Sequence, residues 1–312
     1  VKTPSRISFA GGGSDVSSWF KENEGLVINA AINKFSNIYF KVTNNQCLRI
    51  SSLNLGYSYT FELSEIGVIT GKVPYKSEKD QFFLFQIFSK FKNLPGMDIE
   101  ICCDFAPGSG LGGSSSIVTG LVKGITYILG DKLTAYKLAS VSYETERYNC
   151  EINGGWQDHI ASAFGGVCSL SFSKENFKVR RLSITEQSKN LLNSCLFLVK
   201  VGASRSSSDI HHSLSKNAKN TKQKMKKIVL NAKKVETTFT RENLNDLAEL
   251  INEGWRLKKS LSPLISSHEV DQLIDRVIDF GATGARLLGA GKSGYVLIYV
   301  PPENLLIFFQ KC

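Results

Sequence analysis

The sequence predicts an α+β protein, on three observations. The first half is rich in strand-like alternation, a glycine-rich stretch joins the strand ending at Phe105 to a helix, and the character changes near residue 175. With 312 residues, 42% hydrophobic and 21% charged, the chain can bury a sizeable core as one large domain or two medium ones. No apolar run approaches a membrane span, and Val1-Lys2-Thr3-Pro4-Ser5 lacks the apolar segment of a signal peptide. A cytoplasmic protein without a membrane partner is expected. The cysteines agree: Cys102-Cys103, Cys150, Cys168 and Cys195 sit mostly in apolar or strand-like surroundings, not at zinc spacings, and read as buried thiols.

In chain order, Arg6 to Ala10 reads as a short strand running into Gly11-Gly12-Gly13-Ser14-Asp15. There the glycines let a ligand approach the backbone while the acid accepts from hydroxyls. Strands follow at Phe35 to Val42, Leu48 to Ser52 and Tyr57 to Leu63, the last alternating Tyr57, Tyr59, Phe61 and Leu63 with polar residues. Phe82 to Phe91 reads as an aromatic-rich helix.

The central stretch is Ala106-Pro107-Gly108-Ser109-Gly110-Leu111-Gly112-Gly113-Ser114-Ser115-Ser116. Upstream, Ile99, Ile101, Cys103 and Phe105 alternate with Glu100, Cys102 and Asp104, the period of a half-buried strand. Downstream, Ile117, Val118, Leu121, Val122, Ile125, Ile128 and Leu129 fall at helical spacing. A strand, a glycine turn and a helix opened by serines make a phosphate cradle, because first-turn N–H groups and the positive dipole end favour an anion. A structural turn capped by Ser114 is the plainer reading, but so many glycines exceed what a cap needs. Gly108, Gly110 and Gly113 also satisfy G-x-G-x-x-G. The dinucleotide fold, however, wants a second parallel strand ending in an acid about 20 residues on, where this chain continues its helix.

Thr134 to Tyr148 is helical and carries Glu144 and Glu146, which on pattern alone read as solvated carboxylates. Asp158 follows the Gly154-Gly155 turn and opens a small-residue helix, as a helix cap or as a carboxylate fixed on rigid elements. His159 beside it reads as a packing or capping group.

In the second half, Cys195 to Val201 reads as a buried strand, and Gly202 to Asp209 is a basic, hydroxyl-rich turn. That turn is either an anion site or a well-capped helix start with a surface arginine. The adjacent His211 and His212 share no helix face and make no metal pair. Between Lys216 and Lys234 there are eight lysines and no acid, with Leu214, Ala218, Met225, Ile228, Ala232 and Val235 at helical spacing. The net charge of +10 is thus largely one solvated helix face. Without interleaved aromatics it does not argue for nucleic acid. Helices at Leu244 to Ser260 and Ser267 to Phe280 precede the glycine cluster of residues 281–294 and the strand Tyr295 to Val300. Gly291-Lys292-Ser293 imitates a P-loop, but the required first glycine falls at Arg286, and the order is helix, glycines, strand.

These three glycine clusters, in this order, resemble the superfamily of galactokinase, homoserine kinase, mevalonate kinase and phosphomevalonate kinase (GHMP). Pro107 to Ser116 is similar to its signature ATP-phosphate motif, and residues 281–294 to its C-terminal glycine motif. Arg6 to Asp15, Gly155-Trp156-Gln157-Asp158, Ser204-Arg205-Ser206-Ser207-Ser208 and Glu253 to Lys259 resemble the D-glycero-D-manno-heptose 7-phosphate kinases within it. The resemblance implies an N-terminal domain of the ribosomal S5 domain 2 type over residues 1–175 and a ferredoxin-like domain over 176–312, with the active site between them. It further implies ATP-dependent phosphorylation of the anomeric hydroxyl of heptose 7-phosphate, serving nucleotide-activated heptose and surface polysaccharide synthesis. A kinase for fucose, galactose or an N-acetylhexosamine, or a non-catalytic binding protein of the same fold, stays open, as does the oligomeric state.

Residue by residue, the resemblance makes Asp158 the catalytic aspartate with Arg6 beside the attacking hydroxyl. Pro107, Gly108, Ser109, Gly110, Leu111, Gly112, Gly113, Ser114, Ser115 and Ser116 become the ATP loop. Mg²⁺ falls to Glu146 and the hydroxyl of Ser114, or of Ser115, since Mg²⁺ takes oxygen ligands and is usually held by one or two carboxylates plus phosphates. Gly12, Gly13, Ser14 and Asp15 are expected to contact the sugar. Its own phosphate needs a second anion site, for which Arg205 and Ser206 are the candidates, with Lys292 in reserve beside Gly289 and Gly291. Lys292 and Ser293 stand where the family motif usually has glycines, so that loop is expected to be stiffer or to meet phosphate differently.

Overall fold

The computed structural model describes residues 1–106, 108–174, 176–202 and 218–312. Pro107 and the anion-site candidates Arg205 and Ser206 lie outside the described residues.

The first part is a mixed sheet with helices against it. β1 (Lys2–Ala10) pairs antiparallel with β2 (Gly25–Thr43), from Lys2 opposite Asn37 to Ala10 opposite Ile28. The short α1 (Ser17–Phe20) lies between them. β3 (Cys47–Ser52), β4 (Tyr57–Glu62), β5 (Gly96–Cys103), β6 (Val167–Ser173) and β7 (Asn176–Arg181) complete the order β4-β3-β5-β2-β6-β7, with β1 on β2. Only the β3–β5 pairing is parallel. α2 (Lys79–Phe88) precedes β5. α3 (Gly113–Ile128), α4 (Ala135–Glu144) and α5 (Gln157–Phe164) follow it, with one π-helical turn over Thr145–Asn149.

The strand expected at Phe35 to Val42 is the second half of β2. Its first half, Gly25 to Ala30, is buried on both faces, so it lacks the alternation that marks a strand with one wet face. Two glycines bring α3 close to that strand: a Cβ at Gly120 would lie 2.7 Å from Ile38, and one at Gly124 2.3 Å from Phe40.

The second part holds α6 (Glu186–Cys195), β8 (Leu196–Val201), α7 (Ala218–Thr240), α8 (Leu247–Lys259), α9 (His268–Asp279), β9 (Gly284–Leu287), β10 (Gly294–Tyr299) and α10 (Leu305–Lys311). Among the described residues its strands form an antiparallel sheet in the order β8-β10-β9. β9 lies inside the glycine cluster; four residues, all buried, are too few to show a period. Lys292 sits in the β9–β10 connection, and a strand follows it where a P-loop needs a helix.

β7 pairs with β6 across residues 168–181, so the first sheet continues past residue 175, where the resemblance put the boundary. The hairpin keeps the chain in the first part until Arg181. α7 also crosses the divide. Its Val229, Ala232, Val235 and Phe239 join one core with Ile7, Phe9 and Ile28, and the Phe9 and Phe239 rings stand 5.0 Å apart. Its Lys222, Lys226, Lys227, Lys233 and Lys234 are exposed, as the amphipathic pattern requires. On β5 the alternation turns Cys102 to the exposed face, while Cys103 is buried. No described helix is long and apolar enough to cross a membrane.

Candidate active site

A cavity of about 550 Å³ lies between the two parts, lined from β1, the Gly11–Asp15 turn, the glycine loop, the start of α5, α8 and the β9–β10 connection. The glycine loop reaches it through left-handed backbone at Gly108, Gly110 and Gly112, with φ of 67°, 73° and 77°. α3 starts at Gly113 on Gly112, and no side chain caps it. Ser114 is therefore not the cap. The first-turn N–H groups have no intrahelical partner, and Gly113, Ser114 and Ser115 line the cavity.

Arg6 enters from β1. Its Nε donates to Asp158 Oδ1 at 2.7 Å, its Nη2 stands 2.7 Å from the same oxygen, and its Nη1 donates to the Gly110 carbonyl at 2.6 Å. One guanidinium thus ties the glycine loop to α5. Asp158 is the second residue of α5, with its side chain 20% exposed. Among the described residues Oδ2 receives no hydrogen bond, so it is free to accept from a ligand.

The helix cap read for Asp158 is supplied by another acid. Asp15 Oδ2 accepts from the Gln157 backbone N–H at 3.0 Å and Oδ1 from that of Gly13 at 3.0 Å. Burial pushes the Asp15 carboxyl up, against those N–H bonds. A Cβ at Gly155 would lie 1.9 Å from Asp15, so only glycine lets the turn pass this close.

Glu146 is fully buried, not solvated. Its Oε2 accepts from the Ser115 hydroxyl at 2.6 Å, with His159 Nε2 at 2.6 Å and Arg147 Nη1 at 3.2 Å. Burial alone would raise this carboxyl, but Arg147, His159 and the Ser114 hydroxyl hold it well below the usual carboxylate range. Burial lowers His159, opposed by Glu146. Glu146 Oε1 is buried without a partner. Glu146 does not itself line the cavity, but an ionised carboxylate with an unsatisfied oxygen, behind the exposed Ser114 hydroxyl that does, fits the oxygen chemistry of Mg²⁺.

Of the other expected contacts, Gly12, Gly13, Gly289 and Gly291 line the cavity, and Lys292 does not. The Lys292 N–H donates to the Ile265 carbonyl at 2.9 Å, and its φ of 65° is left-handed. Ser14, Ser116 and Leu111, also expected at the site, do not line the cavity. Ser14 is buried and donates to the carbonyls of Gly11 and Leu26. Ser116 bonds Ser36 at 2.6 Å. Leu111 is buried in the core, and its carbonyl accepts from the Arg6 N–H at 3.0 Å.

Sequence reasoning missed three features. An apolar arm of the cavity is formed by Leu55, Tyr57, Phe83, Leu84 and Phe105, which come from the β3–β4 turn, β4, α2 and the loop after β5 and share no motif. Arg286 on β9 and Lys258 on α8 also face the cavity. A lone arginine between Ala285 and Leu287, in a four-residue run that is buried throughout, was the available signal. Finally, the two glycine loops touch. Tyr295 N–H donates to the Ser109 carbonyl at 3.1 Å, and a Cβ at Gly289 would lie 2.6 Å from Gly110 Cα.

Two family models match the chain: the GHMP kinases N-terminal domain over residues 82–166 and the GHMP kinases C-terminal domain over 235–305. The chain is 28% identical to D-glycero-alpha-D-manno-heptose 7-phosphate kinase of Campylobacter jejuni, over 100% of this chain and 93% of the relative. It is 25% identical to the bifunctional fucokinase/GDP-fucose pyrophosphorylase of Arabidopsis thaliana, over 96% of this chain but only 29% of that protein. Among solved structures, a D-glycero-D-manno-heptose 1-phosphate kinase from Bacteroides thetaiotaomicron superimposes with a TM-score of 0.77 at 22% identity, covering 99% of this chain and 90% of the other. The Methanococcus jannaschii mevalonate kinase gives 0.77 at 22% identity, covering 100% and 93%. With both family models in chain order and the likeness running its full length, the chain belongs to the GHMP kinases.

Proposed function

We propose that this protein transfers the γ-phosphoryl group of ATP to the anomeric hydroxyl of D-glycero-D-manno-heptose 7-phosphate. The observation that carries the reading is the Arg6–Asp158 pair, held against the Gly110 carbonyl so that a free carboxylate oxygen faces the same cavity as the uncapped start of α3. The relative from Campylobacter jejuni, similar over the full chain, supports the choice of acceptor.

In this mechanism the N–H groups at Gly113 to Ser115 and the glycine loop hold the β- and γ-phosphates. The apolar arm around Tyr57 and Phe83 takes the adenine. Ser114 and Glu146 would hold Mg²⁺, which would supply positive charge to offset that of the phosphates. Asp158 Oδ2 orients the acceptor hydroxyl and accepts its proton as the P–O bond forms. Arg6 fixes the Asp158 rotamer and offsets the charge that develops on the attacking oxygen. Asp15, with the Gly12–Gly13 backbone, receives sugar hydroxyls.

A coupled ADP-release assay across heptose 7-phosphate, heptose, fucose, galactose and N-acetylhexosamines tests the reading. Heptose 7-phosphate is expected to give the highest kcat/KM, dependent on Mg²⁺. A higher value for another sugar replaces the acceptor, and ligand binding without turnover of any sugar overturns the kinase reading.

A further inference from the structure

Among the cations that line the cavity, Arg286 and Lys258 are at least half-buried, have no carboxylate partner among the described residues and take no part in the mechanism above. Arg286 is 3% exposed; its Nη1 donates to the Phe9 carbonyl at 2.6 Å, and its Nε is buried without a partner. Lys258 is half-buried, and its Nζ donates to the Gly289 carbonyl. Both line the cavity, and among the described residues neither forms an ion pair with a carboxylate. Arg6, also on this wall, is already committed to Asp158. Burial pushes Lys258 down to about 7 and Arg286 down to about 10. Beside it, Arg286 and Arg6 repel Lys258, Arg6 repels Arg286, and Asp15 alone among these groups favours the lysine's charge.

Burying like charges together without a counter-ion costs stability, and an unsatisfied buried guanidinium N–H adds to that cost. Such a cluster persists where an anionic ligand completes it. The ATP phosphates have their own donors at the start of α3, whereas Arg286 is bonded to the Phe9 carbonyl on β1, the strand that carries Arg6 and runs into the Gly11–Asp15 turn on the acceptor side. We infer that Lys258 and Arg286 form the subsite for the phosphate monoester carried by the acceptor sugar, with Lys258 Nζ and Arg286 Nε as its donors. This rests on the acceptor being a sugar phosphate, as proposed above. It replaces Lys292, which does not line the cavity, as the basic residue facing that group.

The test has two arms, on wild type, Lys258→Met and Arg286→Lys, the last retaining charge where full removal could unfold the protein. In the first, calorimetry follows heptose 7-phosphate, unphosphorylated heptose and inorganic phosphate binding to protein saturated with a non-hydrolysable ATP analogue and Mg²⁺, which fills the triphosphate side. Lys258→Met is expected to weaken heptose 7-phosphate and inorganic phosphate at least tenfold and heptose less than twofold, with analogue affinity unchanged. Arg286→Lys is expected to follow the same pattern more weakly. Equal loss for both sugars, or no binding of either phosphate to wild type, overturns the subsite. In the second arm, ADP release by wild type with heptose 7-phosphate reports on the reaction itself. A subsite that holds anions while wild type releases no ADP leaves this inference standing and rejects the acceptor.

Discussion

At the residue scale, Arg6 does the most with the least, since one guanidinium holds Asp158 and the Gly110 carbonyl at once. Asp158→Asn keeps the shape of the side chain but removes its capacity to accept a proton. Turnover is expected to fall at least ~100-fold, with nucleotide affinity unchanged, as steady-state kinetics and equilibrium titration would report. Lys258 makes a pH signature. A lysine lowered to about 7 carries its charge below that pH and loses it above. The kcat/KM for a phosphorylated acceptor, which reports the free enzyme, should therefore fall as pH rises through about 7. Lys258→Arg, charged throughout, should abolish that limb of the profile.

At the element scale, the site is a set of turns that only glycine can make. The glycine loop was legible in the sequence because a strand period, a glycine run and a helix period follow one another within residues 99–129. Arg6, Asp15 and Asp158 were marked by motif and resemblance. Glu146 was not legible from pattern, because its helix turns π-helical at Thr145 and buries the carboxylate against His159 and Arg147. Nor were β9 and the first half of β2, one too short and the other too evenly buried to show a period. Lys258 and Arg286, 28 residues apart, meet only through the packing of α8 on β9. Gly289 tests the contact between loops. Its φ of 73° and the 2.6 Å approach to Gly110 mean that Gly289→Ala must strain or shift both loops. We expect a loss of about 1–3 kcal/mol in denaturant unfolding and a raised KM for ATP.

At the scale of the whole molecule, the two parts share one hydrophobic core through α7, which the composition change near residue 175 gave no reason to expect. Phe239 is fully buried and packs on Phe9 of β1, the strand that carries Arg6. Phe239→Ala should cost about 3–5 kcal/mol. Calorimetry should still give one transition, with no separate melting of the second part, because its cavity opens in the shared core. Two transitions in this variant would mean that the parts fold independently.

The backbone bond from Tyr295 to Ser109 and the glycine contact beside it bear on how relatives of this protein can be recombined. A chimera that exchanges the N-terminal half for that of another sugar kinase would bring a new loop against an old partner at a surface where backbone meets backbone. Specificity grafts are therefore expected to survive when both glycine loops travel together, and to lose expression or turnover when the junction separates them.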